Sequence, residues 1–514
     1  MRSPYLLAPL VVLAACGDDG SATPDAATIV CTPPATDLPP DGPFATLAEL
    51  PLPDDCVPGG LRDLPGRWFV ADRTQLFDFA YPRFEGDCAT GFRQLGARPE
   101  DRDASDGATF YTWSDGTRYY ARRHLVFGAS FEFATARAVC VRPDGTLAMT
   151  TGRYDSDAGT SLAHLAGGRF APKAEPAATG LVRVGSIGQW GAVGQPIIAY
   201  NVWVDAGIAY VVGPNGLDLI DVTDPAAPQH LSNVVGDMDD GFNDVRVVHV
   251  GGRVVAYAAA LYGSVTTVVD VTTPTAPVRL ANLPEYSHSI QVRTVGARTL
   301  VYLATYTNAV PVYDVTDPLA PVRLGAPVVP GPEAGIHDLF VDGDLIYANN
   351  TTVGMVAIDV SAGLQQPAVE RGRIATTYSH ASWAATLGGR KIVIHGDEGM
   401  TPEGGAFMRI LDGDPASPTF MTEVGRWQTR PEVGIHNLEI VGTRAYVAYY
   451  QDGVRIVELA DPAHPVEVAH YNTWDDATAP GGPFEGALGF RPGAGGLAYV
   501  ADSEAGLIIL REQP

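Results

Sequence analysis

Short apolar runs that end in an acid recur along the second half of the chain. They read "LDLIDVTDPAAPQHL" from Leu217, "TTVVDVTTPTAPVRL" from Thr266, "VPVYDVTDPLAPVRL" from Val310 and "VRIVELADPAHPVEV" from Val454. Looser copies are "MVAIDVSAGLQQPAV" from Met355 and "FMRILDGDPASPTFM" from Phe407. Each run has the pattern of a strand, and the Pro-bounded turn after it leads into another. In the turn, Asp224, Asp317 and Asp461 can hold the backbone by accepting its amides, and the prolines fix φ and limit where the next strand starts. Two more strands precede each piece, the second of them reading "IAYVVG", "VVAYAAA", "LVYLATY", "LIYANN", "KIVIHG", "AYVAYY" and "LAYVAD" in turn. Seven units at spacings of roughly 43–56 residues predict an all-β, seven-bladed β-propeller over residues 179–514. The last unit stops at "GLIIL" without its fourth strand, and "GLVRVGSIG" from Gly180 matches the missing piece. The segment before the first unit is therefore expected to complete the last blade, which removes an exposed edge.

Residues 61–170 have a different texture. "ATFYTWSDGTRYYARRHLVFG" and "SFEFATARAVCVRPDGTLAMTTGRY" alternate apolar with polar, and Ser114-Asp115-Gly116 and Pro143-Asp144-Gly145 are hairpin-type turns. A small antiparallel β domain follows from this, as an open sheet or a barrel, with residues 171–178 as a linker. Gly66-Arg67-Trp68 resembles the Gly-x-Trp that opens lipocalins, a tripeptide too short to establish a pocket. His124 and Arg122-Arg123 fall on a predicted strand and read as surface residues.

The first 16 residues, "MRSPYLLAPLVVLAAC", place Arg2 before an apolar stretch too short to span a bilayer. Leu13-Ala14-Ala15-Cys16 resembles the bacterial lipobox. That resemblance implies a signal peptide over residues 1–16, lipidation at Cys16, and an exported protein anchored in the cell envelope, with the outer membrane as the expected one. Residues 17–60 are rich in Pro, Ala and Asp and read as a tether. With Cys16 set aside, Cys31, Cys56, Cys88 and Cys140 remain, and an oxidising compartment predicts two disulfides among them. Proximity along the chain favours Cys31–Cys56 and Cys88–Cys140.

Charge narrows the partners. With 34 basic and 59 acidic residues the net charge is −25, which repels phosphate backbones and excludes nucleic acid as an expected partner. Membrane contact is expected through the lipid anchor only.

Four of the 11 histidines, His288, His337, His380 and His436, share one position of the repeat, within "YSHSIQV", "GIHDLFV", "YSHASWA" and "GIHNLEI". Tyr200, Asn243 and Glu485 are aligned with them in the other units. The first strand of a propeller blade lines the central channel, so this column predicts a polar ring at one mouth. The turns between second and third strands should open on the same face, bringing Tyr262, Tyr306, Asn350, His395, Asp397, Glu398, Tyr450, Asp452, Asp502 and Glu504. Each imidazole could bond a neighbouring strand's carbonyl or a channel water. Alternatively, neighbours such as His337 and His380 could share a divalent metal ion, the one candidate cofactor.

The repeat resembles the LVIVD repeat of bacterial and archaeal surface proteins, which implies a propeller. No G-x-S-x-G elbow, H-E-x-x-H or Walker loop is present. The expectation is a non-enzymatic binding or scaffolding lipoprotein with a protein or glycan partner on the upper propeller face. A metal-dependent, lactonase-like hydrolase at the histidine-lined mouth is the alternative, and it would use Glu485 with the four histidines.

Overall fold

The computed structural model describes residues 42–61, 109–127, 131–169, 173–190, 195–236, 241–261, 263–332, 334–376, 378–399, 405–475 and 484–513, together with the backbone of strands at 68–71, 76–80, 82–85 and 88–92. Cys16, Cys31 and Tyr262 lie outside the described residues, and Cys88 is described by its backbone alone. Among the described residues the fold is all-β. Its only helical pieces are 3-10 turns at Leu47–Glu49 and Ala494–Gly496, and no helix is long and apolar enough to cross a membrane.

The repeats fold as antiparallel sheets. Sheets 1 to 6 begin with the strands Asn201–Asp205, Phe242–Val250, Ser289–Val295, Asp338–Asp342, Ser379–Leu387 and Leu438–Val441. Each adds its next three strands in chain order. Sheet 7 consists of Ala487–Pro492, Leu497–Asp502 and Gly506–Glu512, and Leu181–Ile187 pairs with the last of these as its fourth strand. The first strand of each sheet packs against that of the next, and sheet 7 packs in turn against sheet 1. The expected closing strand is thus in place.

The core lies between sheets. Within Ile208–Gly213, Ala209 and Val211 face a cluster shared with sheet 7, while Tyr210 and Val212 face one shared with sheet 2. A strand buried on both faces needs an unbroken apolar run, which is why "IAYVV" does not alternate. The motif acids hold turns, as their chemistry predicts. Asp314 Oδ1 accepts from the Thr316 amide at 3.0 Å and its hydroxyl at 2.6 Å, and Asp317 Oδ1 accepts from the Leu319 amide at 3.0 Å. Asp221 with Asp224 and Asp412 with Asp414 make the same pair of bonds to backbone amides.

These turns also lock neighbouring sheets together. A Cβ on Gly185 would stand 2.0 Å from the Pro225 carbonyl oxygen, one on Gly325 2.3 Å from that of Leu364, and one on Gly425 2.2 Å from that of Pro462. In each case the fourth strand of one sheet lies directly under the turn between the third and fourth strands of the next. In sheet 1 the fourth-strand residue is Ser232, whose hydroxyl donates to the Pro274 carbonyl at 2.6 Å. The contact at Gly185 joins sheet 7 to sheet 1, so the ring closes through the same contact that joins its members.

The small domain is a seven-stranded antiparallel sheet whose longest strands are Arg118–Phe127, Phe131–Val141, Leu147–Asp155 and Gly159–Arg169. Residues 42–60 were assigned to the tether, but they belong to this domain. Phe44 and Leu50 are fully buried against Tyr120, Ala134, Ala136 and Ala138 on one face, and Leu61 packs with Tyr119, Val139 and Leu147 on the other. Burial of each of these two side chains stabilises by about 1.5–3 kcal/mol, enough to order a Pro-rich segment locally. The favoured disulfide pairing is also corrected, because Cys56 bonds Cys140 with Cα atoms 5.7 Å apart. The Val57 amide donates to the Val141 carbonyl at 2.8 Å, so a pairing across 84 residues of sequence is local in space.

Candidate functional site

Three of the first strands carry their column residue at an irregularity in their pairing, while His288, His337 and His436 stand just before strands that pair regularly. The register slips between Phe242 and Asp244, between Ser379 and Ala381, and between Ala487 and Gly489. The bulged residues are Asn243, His380 and Leu488. A bulge turns its side chain away from the regular pleat, and here it turns toward the channel. Leu488 therefore holds the column position in sheet 7, and Glu485, aligned there from sequence, lies three residues too early. The registers agree: Arg491 pairs with Tyr499 as Gln291 pairs with Tyr302 and Glu439 with Tyr446, each three residues past the column.

Column residues reach across to the next sheet's backbone. Asn243 Nδ2 donates to the His288 carbonyl at 3.0 Å, His288 Nδ1 to the His337 carbonyl at 3.0 Å, and His436 Nδ1 to the Leu488 carbonyl at 2.7 Å. With Nδ1 donating, Nε2 keeps a lone pair. On His288 it accepts from Asn243 Nδ2 at 3.0 Å, so both nitrogens of that ring are used. His337 and His380 differ. His337 Nδ1 and both ring nitrogens of His380 are buried without a well-formed hydrogen bond among the described residues, the His436 backbone making only a loose contact with His380.

The four imidazoles form a curved stack. Ring centroids are 3.9 Å apart for His288 and His337, 4.4 Å for His337 and His380, and 4.3 Å for His380 and His436, with the planes tilted. Tyr306 meets His288 and His337 edge-on, Tyr378 meets His337, and Tyr450 meets His436. Glu398 closes the group. Its Oε2 is 3.9 Å from His380 Nε2, and its Oε1 accepts the Tyr450 hydroxyl.

Burial dominates the electrostatics of the group. Desolvation lowers His288 and His436 to about 4, and His337 and His380 well below the usual imidazole value, where their mutual repulsion adds to it. All four rings are therefore neutral at neutral pH. Desolvation raises Glu398 to about 8 against the opposing bond from Tyr450. Tyr306, Tyr378 and Tyr450 are raised as well, by burial first; the Glu398 charge comes next for Tyr378 and Tyr450, and the neighbouring Tyr378 for Tyr306.

The other turn residues are committed elsewhere. Asp397 accepts from Arg409 Nε at 3.1 Å, and His395 Nε2 lies 2.9 Å from Ser379 Oγ. Burial pushes Asp452 up, but the Arg430 guanidinium at 2.8 Å outweighs it and holds the carboxyl low. Asp502 Oδ1 accepts the Glu504 and Ala505 amides at 2.9 Å. Asn350 Nδ2 reaches Asn308 at 3.4 Å. Tyr200 packs against the hydrophobic core between sheets 5 and 6. Of the ten turn positions, Tyr306, Glu398 and Tyr450 line the histidine stack. Tyr378 and Tyr286 were missed, although both stand two residues before a column histidine in the repeated "YSH".

Four-stranded antiparallel sheets that pack in a ring around their first strands define a protein of propeller type. Its repeats are LVIVD repeats: the LVIVD repeat model matches residues 198–235, 436–473 and 494–510. No curated protein matches the chain. Among solved structures it is similar to Raptor of Chaetomium thermophilum, at 9% identity and TM-score 0.48 over 65% of this chain and 29% of that one. It is similar to the computationally designed Ika8 protein at 10% identity and TM-score 0.42, over 64% of this chain and 99% of that one. Sqt1 of Saccharomyces cerevisiae matches at 8% identity and TM-score 0.45, over 74% of this chain and 93% of that one. The chain spans less than a third of the length of Raptor.

Proposed function

We propose that this chain is a cell-envelope lipoprotein whose seven-bladed propeller is a non-enzymatic binding module, with its ligand received at the mouth formed by His337, His380, Tyr306, Tyr378 and Glu398. One observation carries the reading: three imidazole nitrogens are buried there without well-formed hydrogen bonds. Each such group costs about 1–3 kcal/mol of stability, and a ligand that supplied the missing bonds would recover it. Elsewhere in the column His288 bonds through both nitrogens and His436 through Nδ1, so packing does not require the vacancy. The surrounding tyrosines add flat, desolvated surface of the kind that holds a ligand.

Thermal shift against a panel of oligosaccharides, peptides and small anions tests this. At least one should raise the melting temperature of the wild type and leave His337→Ala and Tyr306→Ala unmoved. A shift of the same size in both variants would refute binding at this mouth. Steady hydrolysis of a chromogenic ester, lost in His380→Ala, would favour the metal-dependent hydrolase instead.

A further inference from the structure

We infer that His337, His380 and Glu398 form a site for one divalent transition-metal ion of the zinc class, an inference that rests on the mouth being the binding end of the molecule. One ring nitrogen of each histidine and a carboxylate oxygen of Glu398 all lie within 4.8 Å of one another, and all three residues are buried. Zinc–nitrogen bonds of about 2.0 Å in a tetrahedral site place donors roughly 3.3 Å apart. The ion would therefore draw the three side chains, which stand on two adjacent sheets, closer together.

The supporting groups fit a metal centre. Glu398 is held in place by the Tyr450 hydroxyl. His337 is fixed through its carbonyl, which accepts from His288 Nδ1 at 3.0 Å. His436 stacks on His380, and its Nδ1–H is tied to the Leu488 carbonyl at 2.7 Å. Water would supply the fourth donor, since the cluster of ligand-like spacing holds three residues. Two imidazoles with one carboxylate select zinc, cobalt, nickel, copper or ferrous iron over calcium and magnesium, which take oxygen donors.

One other group of the described residues has ligand-like spacing, Glu175, Glu467 and His470. It is already satisfied: Arg455 bonds both glutamates, and His470 bonds Glu467 at 2.8 Å and the Pro176 carbonyl at 2.9 Å. The mouth is different because His337 Nδ1 and both His380 nitrogens lack well-formed bonds.

The test uses the untagged full chain, stripped with chelator, equilibrated with zinc and desalted before elemental analysis. The wild type should retain about one equivalent. Glu398→Gln keeps size and can still accept from Tyr450, so it should fold, yet it should weaken zinc by roughly a hundredfold or more, as should His380→Ala. His470→Gln, in the other group of ligand-like spacing, should retain zinc. Cobalt should give the intense visible absorption of four- or five-coordination in the wild type and lose it in Glu398→Gln. A wild type that melts cooperatively but retains no zinc overturns the inference, as does retention unchanged in both Glu398→Gln and His380→Ala. If zinc is absent while an organic ligand still acts through His337 and Tyr306, the metal inference alone fails. If both are absent, the binding reading fails with it.

Discussion

At the scale of single residues, burial decides what the histidines can do. Neutral rings in the fold and chargeable rings in the unfolded chain make stability depend on pH with a definite sign. Between about pH 4 and 6.5 the unfolded chain takes up protons that His288 and His436 refuse, so stability falls as pH falls through that window. His395, lowered to about 3 by burial, acts the same way, and so do His337 and His380. Glu398 and Asp338, raised by burial to about 8 and about 6, act oppositely, because their folded forms keep a proton the unfolded chain releases. The turn aspartates, held low by their hydrogen bonds, lose their contribution only below the ordinary carboxylate range. Burial raises Asp218, Glu432, Glu439 and Asp502 as well, so the two groups oppose each other and single variants separate them. Removing His395 removes a contribution that is lost on acidification, at up to about 1.4 kcal/mol per pH unit. Chelator-treated His395→Gln should therefore lose less stability, read as the urea midpoint, than the wild type between pH 7 and pH 5. An equal or larger loss in the variant would contradict the burial of this ring. The column itself was legible, since four histidines in matched contexts need no structure to be aligned. Glu485 was misplaced because a bulge and a glycine-rich connection shift sheet 7 by three residues, and spacing alone does not register a bulge.

At the scale of elements, the Asx-Pro turn has two roles, and one of them could be read in advance. Its acids hold the turn through local bonds, so sequence suffices to see it. Its second role is to sit over a neighbouring fourth strand, where only a small residue fits. Gly425→Ala should force its Cβ against the Pro462 carbonyl and cost about 1–3 kcal/mol, read as a lower melting temperature of the full chain. Gly185→Ala should cost about as much, because its strand meets Pro225 in the same way. If Gly185→Ala were silent while Gly425→Ala was not, Leu181–Ile187 would not be docked as the closing strand. The tether boundary was misjudged at this same scale. Composition marks residues 42–60 as extended, but a Phe and a Leu at the right separation are enough to pin them once a sheet is present to receive them.

At the scale of the whole molecule, the proposed anchor at Cys16 would make the propeller a binding head held off a membrane. Its net charge of −25 gives no attraction to anionic headgroups, so attachment should depend on the lipid alone. Cys16→Ala should move the protein from the membrane fraction to the soluble fraction of the envelope. Continued sedimentation with membranes would refute the anchor. Two of the four remaining cysteines are joined as Cys56–Cys140, so the small domain is stapled while the propeller relies on packing and ring closure.

What the sequence determined by itself was whatever repeats or acts locally: the strand runs, the Asx turns, the fold class, the closing segment and the alignment of four histidines. Those features follow from periodicity and from bonds between residues a few positions apart. The tertiary structure alone decided the rest. It set which cysteines meet, which N-terminal residues pack, where the column falls in the last sheet, and that Glu398 and Tyr378 stand beside His337 and His380. Each of those depends on register between strands distant in sequence, where a shift of one residue moves a side chain to the other face of its sheet.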